Sequence, residues 1–122
     1  MLFRSEFVAM VRGEEKANIF NQSHIFVLPS LAEGQPLVLL EAMAYGLPVI
    51  ATDRGAIKDC IINGENGYIV EREPVKVAEP IKYLIRNPQI YRKMSIKSRE
   101  LYKNNFTEEH FINGMIKVFE KL

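Results

Sequence analysis

Ile25-Phe26-Val27-Leu28-Pro29-Ser30-Leu31-Ala32-Glu33-Gly34-Gln35-Pro36-Leu37-Val38-Leu39-Leu40-Glu41 sets a strand, a loop and a helix start end to end. The run from His24 to Leu28 is continuously apolar after its histidine, which suits a strand covered on both faces. Pro29-Ser30 breaks it. Pro36 sits where a first helical residue belongs, and Leu37 to Tyr45 propagates the helix until Gly46 ends it. A strand-loop-helix junction of this kind, at the carboxyl edge of a parallel sheet, is where open α/β folds bind ligands. The free N–H groups of the helix's first turn and its dipole favour an anion such as a diphosphate. Gly34 carries no side chain, so backbone can approach a ligand closely there.

The pattern repeats outward from this junction. Pro48 to Thr52 and Gly67 to Val70 read as two further buried strands, and Phe7 to Val11 as a weaker fourth. Helices are expected over Glu14 to Gln22 and Ile57 to Ile62, the latter closing at Asn63-Gly64. Alternation of strand and helix at this spacing argues for right-handed crossovers in a parallel sheet. After Val70 the chain reads as three helices: Pro74 to Arg86, Pro88 to Tyr102 and Thr107 to Leu122. Pro74 and Pro88 suit first turns, and Thr107 an N-cap followed by Glu109 and His110. The fold class is therefore α/β, part of a Rossmann-like doubly wound sheet followed by C-terminal helices.

Composition sets the boundaries. The chain has 122 residues, 48% of them apolar and 25% charged, with a net charge of +1. That describes one globular domain at most and gives no reason to expect nucleic acid as a partner. A single cysteine, Cys60, excludes an internal disulfide and fits a reducing cytoplasm. No apolar run is long enough to span a bilayer, and no signal-peptide pattern opens the chain. The sequons at Asn21 and Asn105 are read as incidental.

Two carboxylates flank the anion site, Glu33 before the helix and Glu41 within it. Their separation would be about 12 Å if the span were wholly helical. That scale suits a sugar at one end of a diphosphate and a ribose at the other, each held through vicinal hydroxyls. Glu41 lies between Val38-Leu39-Leu40 and Ala42-Met43-Ala44. An ionised group in so apolar a helix normally has a partner.

The stretch Ile25 to Ser30, then Glu33 to Thr52, resembles the C-terminal signature of family 4 (group 1) glycosyltransferases. Asn63 to Val70 matches that family's next strand and the turn before it, and Gly13-Glu14-Glu15-Lys16 also fits. The resemblance covers essentially the whole chain and is closest from Phe26 to Val70. It implies a GT-B fold, with residues 1–122 as part of the C-terminal, nucleotide-sugar-binding domain. The N-terminal acceptor domain and the first strands of this domain would lie outside the chain.

By the same resemblance Glu33 and Glu41 form an E-x7-E pair. Glu33, the catalytic candidate, would hold the donor sugar's hydroxyls as a positioning and electrostatic residue, and Glu41 the nucleotide ribose. Backbone amides of Gly34, Gln35, Leu37 and Val38 would contact sugar and diphosphate. The implied reaction is transfer of a sugar from a UDP- or GDP-linked donor, with retention, to a glycan or lipid-linked acceptor. Amides at the helix start would stabilise the departing diphosphate, and the leaving phosphate would take the incoming hydroxyl's proton.

Neither cofactor nor metal is expected. Asp53 and Asp59 are the only aspartates, so no Asp-x-Asp motif exists, and His24, His110 and Cys60 lack ligand-like spacing. The chain departs from the family pattern at Ala56, where a glycine is usual, and at Asp59, where a glutamate is.

Three residual features have two readings each. Lys16 is expected on the surface of the Glu14 helix; its alternative is the lysine that the family uses to neutralise the diphosphate, whose segment the resemblance places outside the chain. The basic segment Lys82, Arg86, Arg92, Lys93, Lys97, Arg99 and Lys103 is expected to be a solvated face over inward Ile90, Met94 and Leu101. Its alternative is a peripheral contact with the inner membrane face. The function likewise has an alternative, a non-catalytic sugar-nucleotide-binding or interaction domain of the same fold. A sugar-nucleotide epimerase is disfavoured by the E-x7-E context.

Overall fold

The computed structural model describes residues 5–8, 10–29 and 37–121. The elements run α1 (Gly13–Gln22), β1 (Phe26–Leu28), α2 (Leu37–Ala44), β2 (Val49–Thr52), α3 (Ile57–Cys60), β3 (Gly67–Val70), α4 (Pro74–Arg86), α5 (Pro88–Asn105) and α6 (Glu108–Glu120). The strands form one parallel sheet in the order β1-β2-β3. Phe26 lies opposite Val49, and Val49 opposite Gly67. β2 is central, and all four of its residues are buried. This is why its sequence does not alternate: neither face meets water.

Helix α2 supplies the densest part of the core. Leu39, Ala42 and Met43, spaced to share one helical face, are fully buried with Val49, Ile50 and Ile57. The helix ends in a Schellman motif. Gly46 takes a φ of 73°, its N–H donates to the Met43 carbonyl at 2.9 Å, and the Leu47 N–H donates to Ala42 at 3.1 Å.

Three donors from α5 satisfy the carbonyls left at that end. Ser95 Oγ donates to Gly46 at 2.5 Å, Ser98 Oγ donates to Leu47 at 2.8 Å, and the Arg99 guanidinium donates to Ala44. The basic residues of α4 and α5 are mostly exposed, with Met94 buried as expected and Leu101 packed against the core. Arg99 nevertheless has a structural bond.

The turn into β3 is held by two asparagines. Asn66 is fully buried. Its Oδ1 accepts from the Ile62 N–H at 2.8 Å, and its Nδ2 donates to the Cys60 carbonyl at 3.1 Å. Asn63 Oδ1 accepts from the Ile69 N–H at 2.9 Å, while Gly64 occupies φ 85°.

The fourth strand expected near Val8 does not form. Residues 5–8 and 10–12 have no strand pairing, and Phe7, Val8 and Met10 are exposed. Apolar content alone does not make a strand: β1 and β3 each leave an outer edge unpaired among the described residues, and this segment pairs with neither. Helix α1 begins at Gly13, with φ 62° marking the abrupt entry. Its buried Phe20 stacks on Tyr45 at 5.1 Å between ring centroids and tilts against Phe26 at 6.2 Å. Those contacts fix α1 against α2 and β1. Among the described residues no helix is long and apolar enough to cross a membrane.

Candidate functional site

A parallel sheet joined by helices places every strand end, and every following helix start, on one edge. Here that edge is formed by Leu28-Pro29, Thr52-Asp53 and Val70-Glu71. Helix α2 begins beside it at Leu37, and α1, which returns the chain to β1, also begins on that side. The described members of the predicted site, Leu37, Val38 and Glu41, therefore lie on the helix that starts at this edge.

Of the six predicted site residues, Leu37, Val38 and Glu41 are described; Glu33, Gly34 and Gln35 lie outside the described residues. Leu37 opens α2 and its side chain is exposed, while Val38 is half-buried. Glu41 stands one turn further on, and its side chain retains 39% of its exposure. The partner that its apolar neighbours called for is present. Lys16 Nζ lies 2.8 Å from Glu41 Oε2.

Lys16 thus has more than the surface role expected of it. Its side chain is 40% exposed. It also lines a cleft of about 230 Å³ with Val11, Ile19, Phe20, Phe26 and Val38 among others. A lysine in such a place lays its methylene stem on apolar surface and extends its ammonium to the rim. Sequence reading missed the pair because 25 positions separate its members; the signal available was the unpartnered glutamate itself.

A second unforeseen contact spans the same edge. Arg72 Nε, two residues beyond β3, donates to the Pro29 carbonyl at 3.0 Å. It ties the end of β3 to the end of β1 across the mouth of β2, immediately before the predicted donor loop. Larger cavities exist elsewhere. One of about 600 Å³ lies between β3 and α4, lined by Asn63, Tyr68, Val70, Lys76 and Tyr83 among others, and it includes no predicted site residue.

The remaining chemical candidates occupy structural places. The His24 carbonyl accepts a hydrogen bond from the Tyr91 hydroxyl at 2.8 Å, and burial raises the Tyr91 pKa. Cys60 is buried, with its Sγ 3.7 Å from the Ala56 carbonyl. Burial first, and the charge of Asp59 second, raise its thiol pKa. The His110 N–H donates to the Thr107 N-cap oxygen. Among the described residues no group of three or more His, Cys, Asp and Glu side chains is placed to hold a metal ion.

Comparison with known proteins is consistent with this geometry. The family model described as "Glycosyl transferases group 1" matches residues 4–101. An uncharacterized glycosyltransferase of Haemophilus influenzae is 40% identical over 90 residues, covering 72% of this chain and 26% of its own length. The chain spans about a quarter to a third of the curated relatives it matches. Among solved structures, sucrose-phosphate synthase from Thermosynechococcus elongatus superposes with a TM-score of 0.86 at 28% identity. That match covers 95% of this chain and 29% of the synthase. The pneumococcal O-GlcNAc transferase GtfA, solved in complex with UDP and GlcNAc, superposes with a TM-score of 0.66 at 27% identity. It covers 84% of this chain and 22% of the transferase. With the parallel sheet, the motif order and the family match in agreement, this chain belongs to the group 1 glycosyl transferases of GT-B fold.

Proposed function

We propose that the chain is the donor-binding part of a retaining glycosyltransferase. Within a complete enzyme it would transfer a hexose from a UDP- or GDP-linked donor to a glycan or lipid-linked acceptor. The observation that carries this reading is the placement of Glu41. It stands one turn into a helix that starts at the carboxyl edge of the sheet, half-exposed and already engaged by a cation. A carboxylate so placed accepts hydrogen bonds from the ribose hydroxyls of a nucleotide whose diphosphate meets the helix start. The pneumococcal neighbour, solved with UDP and a sugar, supports a donor of this class.

Bond breakage at the anomeric carbon leaves negative charge on the diphosphate. The amides of Gly34, Gln35, Leu37 and Val38 would stabilise that charge as it develops, a kind of help that contributes on the order of a few kcal/mol per well-placed donor. Glu33 would hold the sugar. No metal or cofactor is invoked. The acceptor would be presented by an N-terminal domain, with residues 1–122 as a partial C-terminal domain, in the cytoplasm or at its membrane face.

Calorimetric titration of the chain with UDP, GDP and their hexose conjugates tests this. Saturable binding that weakens about tenfold or more in Glu41→Ala is expected, the size of one or two lost hydrogen bonds to a charged group. A folded sample that binds none of them, or binds equally well without Glu41, would contradict the reading.

A further inference from the structure

We propose that Lys16 is a positioning residue for the donor site, one that aims the Glu41 carboxylate at the ribose; the proposal rests on the donor-site reading above. Lys16 Nζ takes one oxygen, Oε2, at 2.8 Å, and among the described residues this is the one ion pair. A carboxylate has about four lone-pair positions, and a single ammonium contact leaves most of them for hydroxyl donors. An ion pair exposed to this degree adds little to stability. Its consequence is geometric: a glutamate that would otherwise sample several rotamers is biased toward one.

The place of Lys16 makes that hold firm. Its helix is anchored by Phe20, which is buried and stacked on Tyr45 just past the end of α2. Lys16 lines the same cleft as Val11, Ile19 and Val38, so the ammonium is offered from a helix whose position is set by packing. Helices α1 and α2 both begin at the carboxyl edge, so their relative position sets the carboxylate's aim. Ordering a long side chain before a ligand arrives removes part of the entropy cost of binding.

The test measures affinity for UDP and GDP, each beside its 2′,3′-dideoxy counterpart, in wild type, Lys16→Met, Lys16→Arg and Glu41→Gln, with thermal unfolding as a check on folding. Lys16→Met is expected to weaken binding of the ribonucleotides by about three- to tenfold. It should leave the dideoxy compounds within about twofold, since they offer Glu41 nothing to accept. Lys16→Arg should restore the ribose preference. Glu41→Gln should shrink that preference more than either. An equal loss on both nucleotide series would mean that Lys16 merely supports the fold, and would overturn the proposal. An undiminished ribose preference in Lys16→Met, alongside a reduced one in Glu41→Gln, would overturn it while leaving the donor-site reading standing. An unchanged preference in Glu41→Gln would overturn both.

Discussion

Ser98, in the middle of α5, donates its hydroxyl to the carbonyl of Leu47, the residue that completes the Schellman turn after α2, at 2.8 Å. Both residues are buried, and 51 positions separate them. The bond links the C-terminal helices to the helix that carries Glu41. Ser98→Ala leaves the Leu47 carbonyl without that donor, an omission that costs about 1–3 kcal/mol. Chemical denaturation should show a lower midpoint with an unchanged slope. A midpoint within error of wild type would mean that another donor, such as water, replaces the hydroxyl.

Gly67 presents a sharper steric limit. A Cβ built on it would lie 1.9 Å from the Val49 carbonyl oxygen, which is backbone and central to the sheet. Gly67→Ala therefore has to move β3 away from β2, and we expect more than about 3 kcal/mol of destabilisation, in the range of severe overpacking. Comparison with Gly114→Ala controls for backbone effects, since a Cβ there meets nothing within 4 Å. If both variants unfold at the same midpoint, the close approach has been misjudged.

The buried thiol predicts a pH dependence. Burial and Asp59 raise the Cys60 pKa above its ordinary value, so the folded state disfavours the thiolate. Below the unfolded thiol's pKa, about 8.5, both states hold the proton and the contribution is fully present. As pH rises past that value the unfolded state releases its proton first, and stability is lost until the folded pKa is passed. Stability should therefore begin to fall as pH rises through the unfolded thiol's pKa, about 8.5, before Tyr68 and Tyr91, whose pKa values are also raised, add to the decline. Cys60→Ala should be less stable overall but flatter across that window. A wild-type curve as flat as the variant's would exclude the thiol as its source.

The parts of the fold that were legible in the sequence are those specified by a local rule. Pro74 and Pro88 open α4 and α5, and Thr107 caps α6. Gly46 ends α2 because only a residue tolerant of positive φ completes that turn. Elements that depend on a partner were read less well. His24 and Ile25 belong to the apolar run but not to β1, which pairs with β2 only from Phe26 to Leu28. The segment from Phe7 to Val11 has strand composition, and its described residues pair with no strand.

The site divides along the same line. The position of Glu41 on a helix beginning at the sheet edge follows from Pro29, Pro36 and Gly46, all local signals. Its bond to Lys16, the Arg72 tie to Pro29 and the α5 donors to α2 join positions 25 to 55 residues apart. Nothing in residue spacing reveals such pairs; they appear only once the helices are placed. The apolar setting of Glu41 announced that a cation was required without saying which one.

On the function proposed above, a nucleoside diphosphate binds at the start of α2, beside Glu41. Amide chemical-shift mapping of the isotope-labelled chain during titration with UDP or GDP locates it. The largest changes are expected on Leu37, Val38 and the following turn through Glu41, with a second group around Lys16. Changes concentrated instead on the cavity between β3 and α4, or no saturable change in a well-folded spectrum, would contradict it.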